Sequence, residues 1–250
     1  MRKKVFSTVI ILLLLIVAVV YGYKYFAITM GICASLSFLE FYKYKYNSSN
    51  IGFIKVISIL SLLFILFNNV FYTQPIILPF IISLLAIIIP IVIYDNNKKY
   101  NINDAMYMLG IIVFLSIPYA ILIELCKIDV LRCIYIFLIA FMCDIYSYVG
   151  TSLIGRHKIS NTNRTYEGSI IGIIMSSFIA SVYHYNLIDG NIFTIIVLSF
   201  ILSIASILGD ILFYNIKRRL KKDELKVKVI DQFDSVILVA LLYMIIINII

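Results

Sequence analysis

The chain has 250 residues, 63% of them hydrophobic, with a mean hydropathy of +1.05 and a formal net charge of +8. Soluble domains are about 45–50% apolar, so this composition excludes a water-soluble globule and makes lipid the solvent for most of the surface. A basic balance in such a chain reports topology and phosphate headgroups rather than nucleic acid.

A helix that crosses a bilayer needs about 20 apolar residues, and helix is the form that satisfies its backbone within lipid. In chain order the apolar runs predict nine spans: Val5–Gly22, Tyr25–Phe41, Ile51–Tyr72, Ile76–Tyr94, Ala105–Leu125, Val130–Val149, Ser169–Leu187, Ile192–Tyr214 and Phe233–Ile250. The first follows Arg2, Lys3 and Lys4, and no small-x-small cleavage pattern comes after it, so it reads as a retained anchor rather than a cleaved signal. With the N-terminus in the cytoplasm, alternation places all but three of the 21 Lys and Arg residues at the inner face; the exceptions are Lys24, Lys127 and Arg132. That asymmetry sets both the orientation and the odd number of spans. The expected fold class is therefore all-α, a multi-pass protein of the cell membrane.

Two parts differ in character. Residues 1–125 hold nearly pure Ile, Leu, Phe and Val spans with short polar turns, and read as a scaffold. Residues 126–250 carry two long cytoplasmic loops, about Gly150–Gly168 and Asn215–Gln232, of the kind that bear function on a rigid frame. The four cysteines, Cys33, Cys126, Cys133 and Cys143, form no C-x-x-C pair and read as small buried hydrophobes.

The acids are concentrated. Seven of the 13 fall at one membrane edge: Asp144, Glu167, Asp210, Asp223, Glu224, Asp231 and Asp234. Asp210 follows Gly209 inside the eighth span, about one turn from its cytoplasmic end. A carboxylate at that depth is costly unless it is paired or binds a cation. Asp144 has a similar place near the end of the sixth span. Asp231 and Asp234 are three residues apart and share one face at a helix start. Oxygen ligation of Mg²⁺ and favourable placement at a helix N-terminus both account for that pair. The run Lys217, Arg218, Arg219, Lys221, Lys222, Lys226 and Lys228 interleaves with Asp223 and Glu224. A phosphate-rich substrate with a divalent cation needs both signs close together, whereas a topology signal needs only the cations. His157 stands between Arg156 and Lys158 beside Gly155, where an anion-binding turn is one reading, and His184 reads as a packed histidine.

These residues fall into a recognisable order. The chain reads Asp144-Ile145-Tyr146-Ser147-Tyr148, then Gly155-Arg156-His157-Lys158-Ile159, then Asn161-Thr162-Asn163-Arg164-Thr165-Tyr166-Glu167-Gly168. Further on come Gly209-Asp210, Lys217-Arg218, Lys222-Asp223 and Asp231-Gln232-Phe233-Asp234-Ser235. From Asp144 to the C-terminus this resembles the phosphatidate cytidylyltransferases, or CDP-diacylglycerol synthases. Their pattern runs D-x-x-A-Y, G-[KR]-x-K-[LI], S-P-x-K-T-[WY]-[EQ]-G, G-D-x-x-E-S-x-x-K-R, K-D, P-G-H-G-G and D-R-x-D-S. There are departures. Phe213-Tyr214 replaces Glu-Ser, the P-G-H-G-G run is absent, the loop before Asp231 is shorter by about five residues, Gln232 replaces the arginine of D-R-x-D, and Thr162 stands at the proline. They bear on turnover and on the identity of the lipid.

The resemblance implies transfer of a cytidylyl group from CTP to phosphatidate, giving CDP-diacylglycerol and pyrophosphate. It implies Mg²⁺ on Asp210, Asp231 and Asp234. Asp210, Asp231, Lys217, Arg218 and Lys222 would form the catalytic group. Asp144, Tyr148, His157, Lys158, Arg164, Thr165, Glu167 and Asp223 would bind substrate. It also suggests a homodimer, working on membrane lipid without nucleic acid. A CTP-dependent polyprenol kinase, an archaeol-type cytidylyltransferase and a non-catalytic membrane homologue are the alternatives. A transporter fits less well, because the first five spans lack intramembrane charge.

Overall fold

Lipid offers backbone amides no partner, so each long apolar run must satisfy its own N–H and C=O groups by coiling. The computed structural model describes residues 15, 17–19, 21–45, 52–71, 77–94, 100–159, 164–188, 190–219 and 230–249. Among them eight helices follow in order: α1 (Tyr23–Lys45), α2 (Gly52–Phe71), α3 (Ile77–Tyr94), α4 (Ile102–Ile128), α5 (Val130–Leu153), α6 (Tyr166–Leu187), α7 (Ile192–Arg219) and α8 (Ile230–Ile249). Five stretches are long and apolar enough to cross a membrane: Tyr23–Lys43, Ile102–Ile128, Val130–Leu153, Tyr166–Leu187 and Ile192–Ile216. The apolar parts of α2, α3 and α8 are shorter. The protein is an all-α, polytopic membrane protein. Most of the expected first span, Val5–Gly22, lies outside the described residues.

Several boundaries differ from the sequence expectation. Helix α7 continues past Tyr214 to Arg219, so Lys217 and Arg218 extend a helix rather than open a loop. Cations at a helix C-terminus complement its exposed carbonyl ends, which favours the extra turn. Helix α8 starts at Ile230, placing Asp231 in its first turn. Helix α5 continues to Leu153, beyond the expected end at Val149.

The chain divides into two compact units, one formed mainly by Ala18–Glu124 and the other by Leu125–Val227 with Asp231–Ile250. In the first, Phe26, Met30, Phe38, Leu62, Leu115 and Tyr119 are buried, and Ser37 shares a hydrogen bond with Tyr119 at 3.1 Å. In the second, Asp129 caps α5 by accepting from the backbone N–H groups of Leu131 and Arg132. Small residues let its helices approach. A Cβ at Gly168 would come within 2.6 Å of Thr151 N and 2.7 Å of Ser147 O, and one at Gly172 within 2.9 Å of Cys143 O, so α6 lies directly on α5. Apolar surface gives little drive for association in lipid, where close packing and hydrogen bonds between helices take over. Here Tyr135 of α5 meets Ser199 of α7 at 2.7 Å, and Ser176 of α6 donates to Ser203 of α7 at 2.9 Å. The opposite side of α6 exposes Ile170, Ile174, Phe178 and Val182, a face suited to acyl chains. All four cysteines carry free thiols, and Cys126, Cys133 and Cys143 are buried.

Candidate functional site

The site is assembled from three helices and the turn that enters a fourth. Asp144 comes from α5, Asp210 from α7, and Asp234 and Ser235 from α8. Arg164, just before α6, reaches the first two of these acids. Its Nη2 donates to Asp144 Oδ1 at 2.6 Å, and its Nε is ion-paired with Asp210 Oδ2. The side chains of Arg164, Asp144 and Asp210 are only 12%, 11% and 16% exposed, so these charges meet largely out of water. Burial works against the charge on Arg164, but Asp210 and then Asp144 outweigh it and hold its pKa above the ordinary guanidinium range.

Helix α8 joins through Ser235, whose hydroxyl donates to Asp144 Oδ1 at 3.3 Å. The Ser235 backbone N–H donates to Asp234 Oδ1 at 2.8 Å, and Asp234 is buried. Gly209 makes this approach feasible. A Cβ there would lie 2.8 Å from the Asp234 carbonyl oxygen and 3.2 Å from the Ser235 Cα, so any larger residue would push α7 away from α8 and carry Asp210 with it. Asp231 lies one turn before Asp234 on α8, half-buried.

The turn that carries Arg164 is fixed at several points. Thr165 caps α6 by accepting from Gly168 N, and its hydroxyl donates to Thr151 Oγ1 at 3.2 Å. Lys158 and Thr165 form an antiparallel bridge; Ile159 N donates to Arg164 O at 2.9 Å and Tyr166 N to His157 O at 3.0 Å. Glu167 acts as a strap. Its carboxylate accepts from Arg156 N at 3.3 Å and His157 N at 3.2 Å, and meets His157 Nδ1 at 2.5 Å. Gly155 fits beneath, where a Cβ would press against Thr165 and the Thr151 carbonyl.

Apart from Asp231, the predicted site residues that the structure describes fall into three groups. Asp144, Arg164, Asp210 and Asp234 converge. His157, Lys158, Thr165 and Glu167 form the strapped turn beside them, with the His157 and Lys158 side chains exposed, and Tyr148 is half-buried one turn along α5 from Asp144. Lys217 and Arg218 lie on the last turns of α7, Arg218 exposed and about 12 Å along the axis from Asp210. Lys222 and Asp223 lie outside the described residues. Sequence reasoning assigned no role to Ser235, although it closes the Asp231-Gln232-Phe233-Asp234-Ser235 stretch. Its contact with Asp144 spans 91 residues of chain, and only the placement of a hydroxyl beside two acids hinted at it.

Every side-chain donor offered here by an acid is an oxygen, which suits a hard divalent cation such as Mg²⁺. Among the described residues, however, no three His, Cys, Asp or Glu side chains stand in metal-holding geometry. Asp144 and Asp210 are engaged by Arg164 instead. The donor type fits the ion; a ready-made cage of side chains is not what the residues form. Mg²⁺ is usually held by one or two carboxylates together with substrate phosphates, so such a cage is not required.

Comparison with known proteins follows the same lines. Curated relatives include proteins named phosphatidate cytidylyltransferase from Helicobacter pylori, 28% identical over 116 residues covering 43% of this chain and 44% of that protein. Others so named come from Staphylococcus saprophyticus, 26% identical over 151 residues (56% of this chain, 58% of that one), and Staphylococcus aureus, 25% identical over 175 residues (66% of each). The chain thus spans only about half the length of the first two relatives. The profile described as the cytidylyltransferase family matches residues 2–250, and the chain belongs to that family.

Proposed function

We propose that this protein is a CTP:phosphatidate cytidylyltransferase. A phosphate oxygen of phosphatidate attacks the α-phosphorus of CTP, the bond from that phosphorus to the bridging oxygen breaks, and pyrophosphate leaves with CDP-diacylglycerol as the lipid product. The single observation that carries the reading is the meeting of Asp144, Asp210, Asp234 and Arg164 at one end of α5, α7 and α8, in a chain of the cytidylyltransferase family. Both reactants are anions, so the barrier is mainly repulsion and positioning. No nucleophilic side chain is required, because the lipid phosphate is already ionised at neutral pH. Asp210, Asp231 and Asp234 would hold Mg²⁺, which when bound supplies neutralisation of phosphate charge. Lys217, Arg218 and Lys222 would clamp the phosphates, and the strapped turn from Arg156 to Glu167 would face the nucleotide.

The headgroup of phosphatidate lies at the membrane surface and CTP is dissolved in water. A site at the ends of spanning helices serves both, with the N-terminus and the basic helix ends on the cytoplasmic side. We place the protein in the cell membrane as a homodimer, without nucleic acid as a partner. The decisive experiment supplies purified protein with Mg²⁺ and either phosphatidate or a polyprenol, in parallel reactions with CTP labelled in its α-phosphate or in its γ-phosphate. Labelled CDP-lipid, lost in Asp210→Asn, is the expected result. Label on a polyprenol as phosphate would replace this reading with a kinase, and a folded protein that labels no lipid would make it a non-catalytic homologue.

A further inference from the structure

We propose that Arg164 is a resident cation of the carboxylate cluster, and that a divalent ion reaches Asp210, the ligand it would share with Asp231 and Asp234, by displacing the guanidinium that bridges Asp210 to Asp144. The inference deepens the cytidylyltransferase reading and rests on it for its biological meaning, although its test does not.

Three acids from separate helices approach one another here, and two of them are bridged by a single planar group. Nε of Arg164 serves Asp210 of α7 while Nη2 serves Asp144 of α5. Asp144 Oδ1 receives two donors, Arg164 Nη2 at 2.6 Å and Ser235 Oγ at 3.3 Å. That oxygen cannot also accept a Mg²⁺ at about 2.1 Å without giving up a donor. Two carboxylates that share one guanidinium and are this buried repel each other unless a cation or a proton lies between them. Arg164 provides the cation in the form described here.

Arginine is suited to the part. Its fork presents several N–H groups in a fixed plane and can span two carboxylates, whereas a lysine is a point charge on a flexible stem. The backbone at Arg164 is fixed by the Ile159–Arg164 hydrogen bond, the Lys158–Thr165 bridge and the Thr165 cap. Exchange is therefore a rotation of one side chain rather than movement of a loop. A guanidinium released this way has its fork available to a phosphate, which it recognises in the same two-pronged manner. Arg164 is in this sense a positioning residue: it holds the two helices' acids in register and leaves when the incoming charge can do so.

The test uses the full chain in detergent without nucleotide, with Mn²⁺ as the probe. Binding is read by the loss of the free Mn²⁺ electron-spin signal and stability by the melting midpoint. The wild-type protein is expected to bind Mn²⁺ weakly and to melt at nearly the same temperature in Mn²⁺ and in chelator. Arg164→Gln should melt lower in chelator, recover in Mn²⁺, and bind Mn²⁺ at least tenfold more tightly. Arg164→Gln combined with Asp210→Asn should lose that gain. Arg164→Lys, which keeps the charge but not the bridge, should lie between. Equal Mn²⁺ affinity in wild type and Arg164→Gln, or a gain that persists without Asp210, would overturn the inference. If Arg164→Gln survives purification only in Mn²⁺, that supports it. If it survives in neither condition, Arg164→Lys decides: affinity no tighter than wild type is the overturning result. Failure of the enzyme reading is seen separately, since a chain that shows the exchange but forms no CDP-lipid keeps the inference and loses the synthase.

Discussion

The unit formed mainly by Ala18–Glu124 and the unit that holds Leu125–Val227 and Asp231–Ile250 are both built from apolar helices, yet they handle polar groups differently. In the first, polar contacts are scattered and local in effect: Ser37 with Tyr119, Lys45 with Asp104 at 2.8 Å, Tyr107 with the Phe41 carbonyl. In the second they form connected sets, from Tyr135 through Ser199, and from Arg164 through Asp144 to Ser235. The glycines differ in the same way. Gly110 in α4 has open space where a Cβ would go, whereas Gly168 in α6 faces backbone atoms of α5. Apolarity makes a helix stay in the bilayer, but polar links and close backbone approach are what give a bundle one arrangement, and a site needs one arrangement.

That contrast can be broken by mutation, and the largest effect should come from Asp210→Asn. Loss of the charge that Arg164 and a metal both use should lower CDP-lipid formation by about 100-fold or more, while the protein still elutes as a folded species in detergent. Initial rates with labelled CTP measure it. A variant with near-normal rate would detach the carboxylate cluster from the chemistry.

Next in size is Gly168→Ala. The added methyl meets Thr151 N and Ser147 O, neither of which can move without its helix, so a loss of about 1–3 kcal/mol is expected. The matched change in the other unit, Gly110→Ala, should be neutral or stabilise by up to about 1 kcal/mol, because alanine is the better helix former and the space is open. Thermal melting of the pair side by side sharpens the comparison; equal losses would end it.

Removal of the strap, Glu167→Ala, should act more locally. The amides of Arg156 and His157 lose their acceptor, so their hydrogen exchange should speed up by about tenfold, because each gives up a hydrogen bond to a charged oxygen. Protection within α5 and α7 should stay as it was. The smallest effect belongs to Lys45→Met, which removes a partly exposed ion pair with Asp104. Such pairs contribute about 0–1 kcal/mol, and the rate of lipid labelling should not change.

Much of this could be read before any coordinates. Apolar run length gave the helices, because in lipid the run and the helix are the same constraint. Asp144, Asp210 and the Asp231–Asp234 pair were legible as acids at an apolar boundary, where an unpaired charge is costly. Arg164 was legible as a motif position but not as the bridge between α5 and α7. A loop arginine carries no periodicity, and its two partners come from different helices, one of them 20 residues earlier in the chain. The continuation of α7 to Arg219 was hidden for a related reason: hydropathy ends where the bilayer ends, and hydrogen bonding does not.

The contacts of Tyr135 and Ser176 with Ser199 and Ser203 have a mechanical consequence for Asp210. Ser199, Ser203 and Asp210 all belong to α7, and a slip of one residue turns a helix by about 100°. The two hydroxyls therefore work like the teeth of a key in a lock barrel: if they sit in their wards, the carboxylate further along the shaft is dialled to face Arg164, and no oily side chain could set that angle alone.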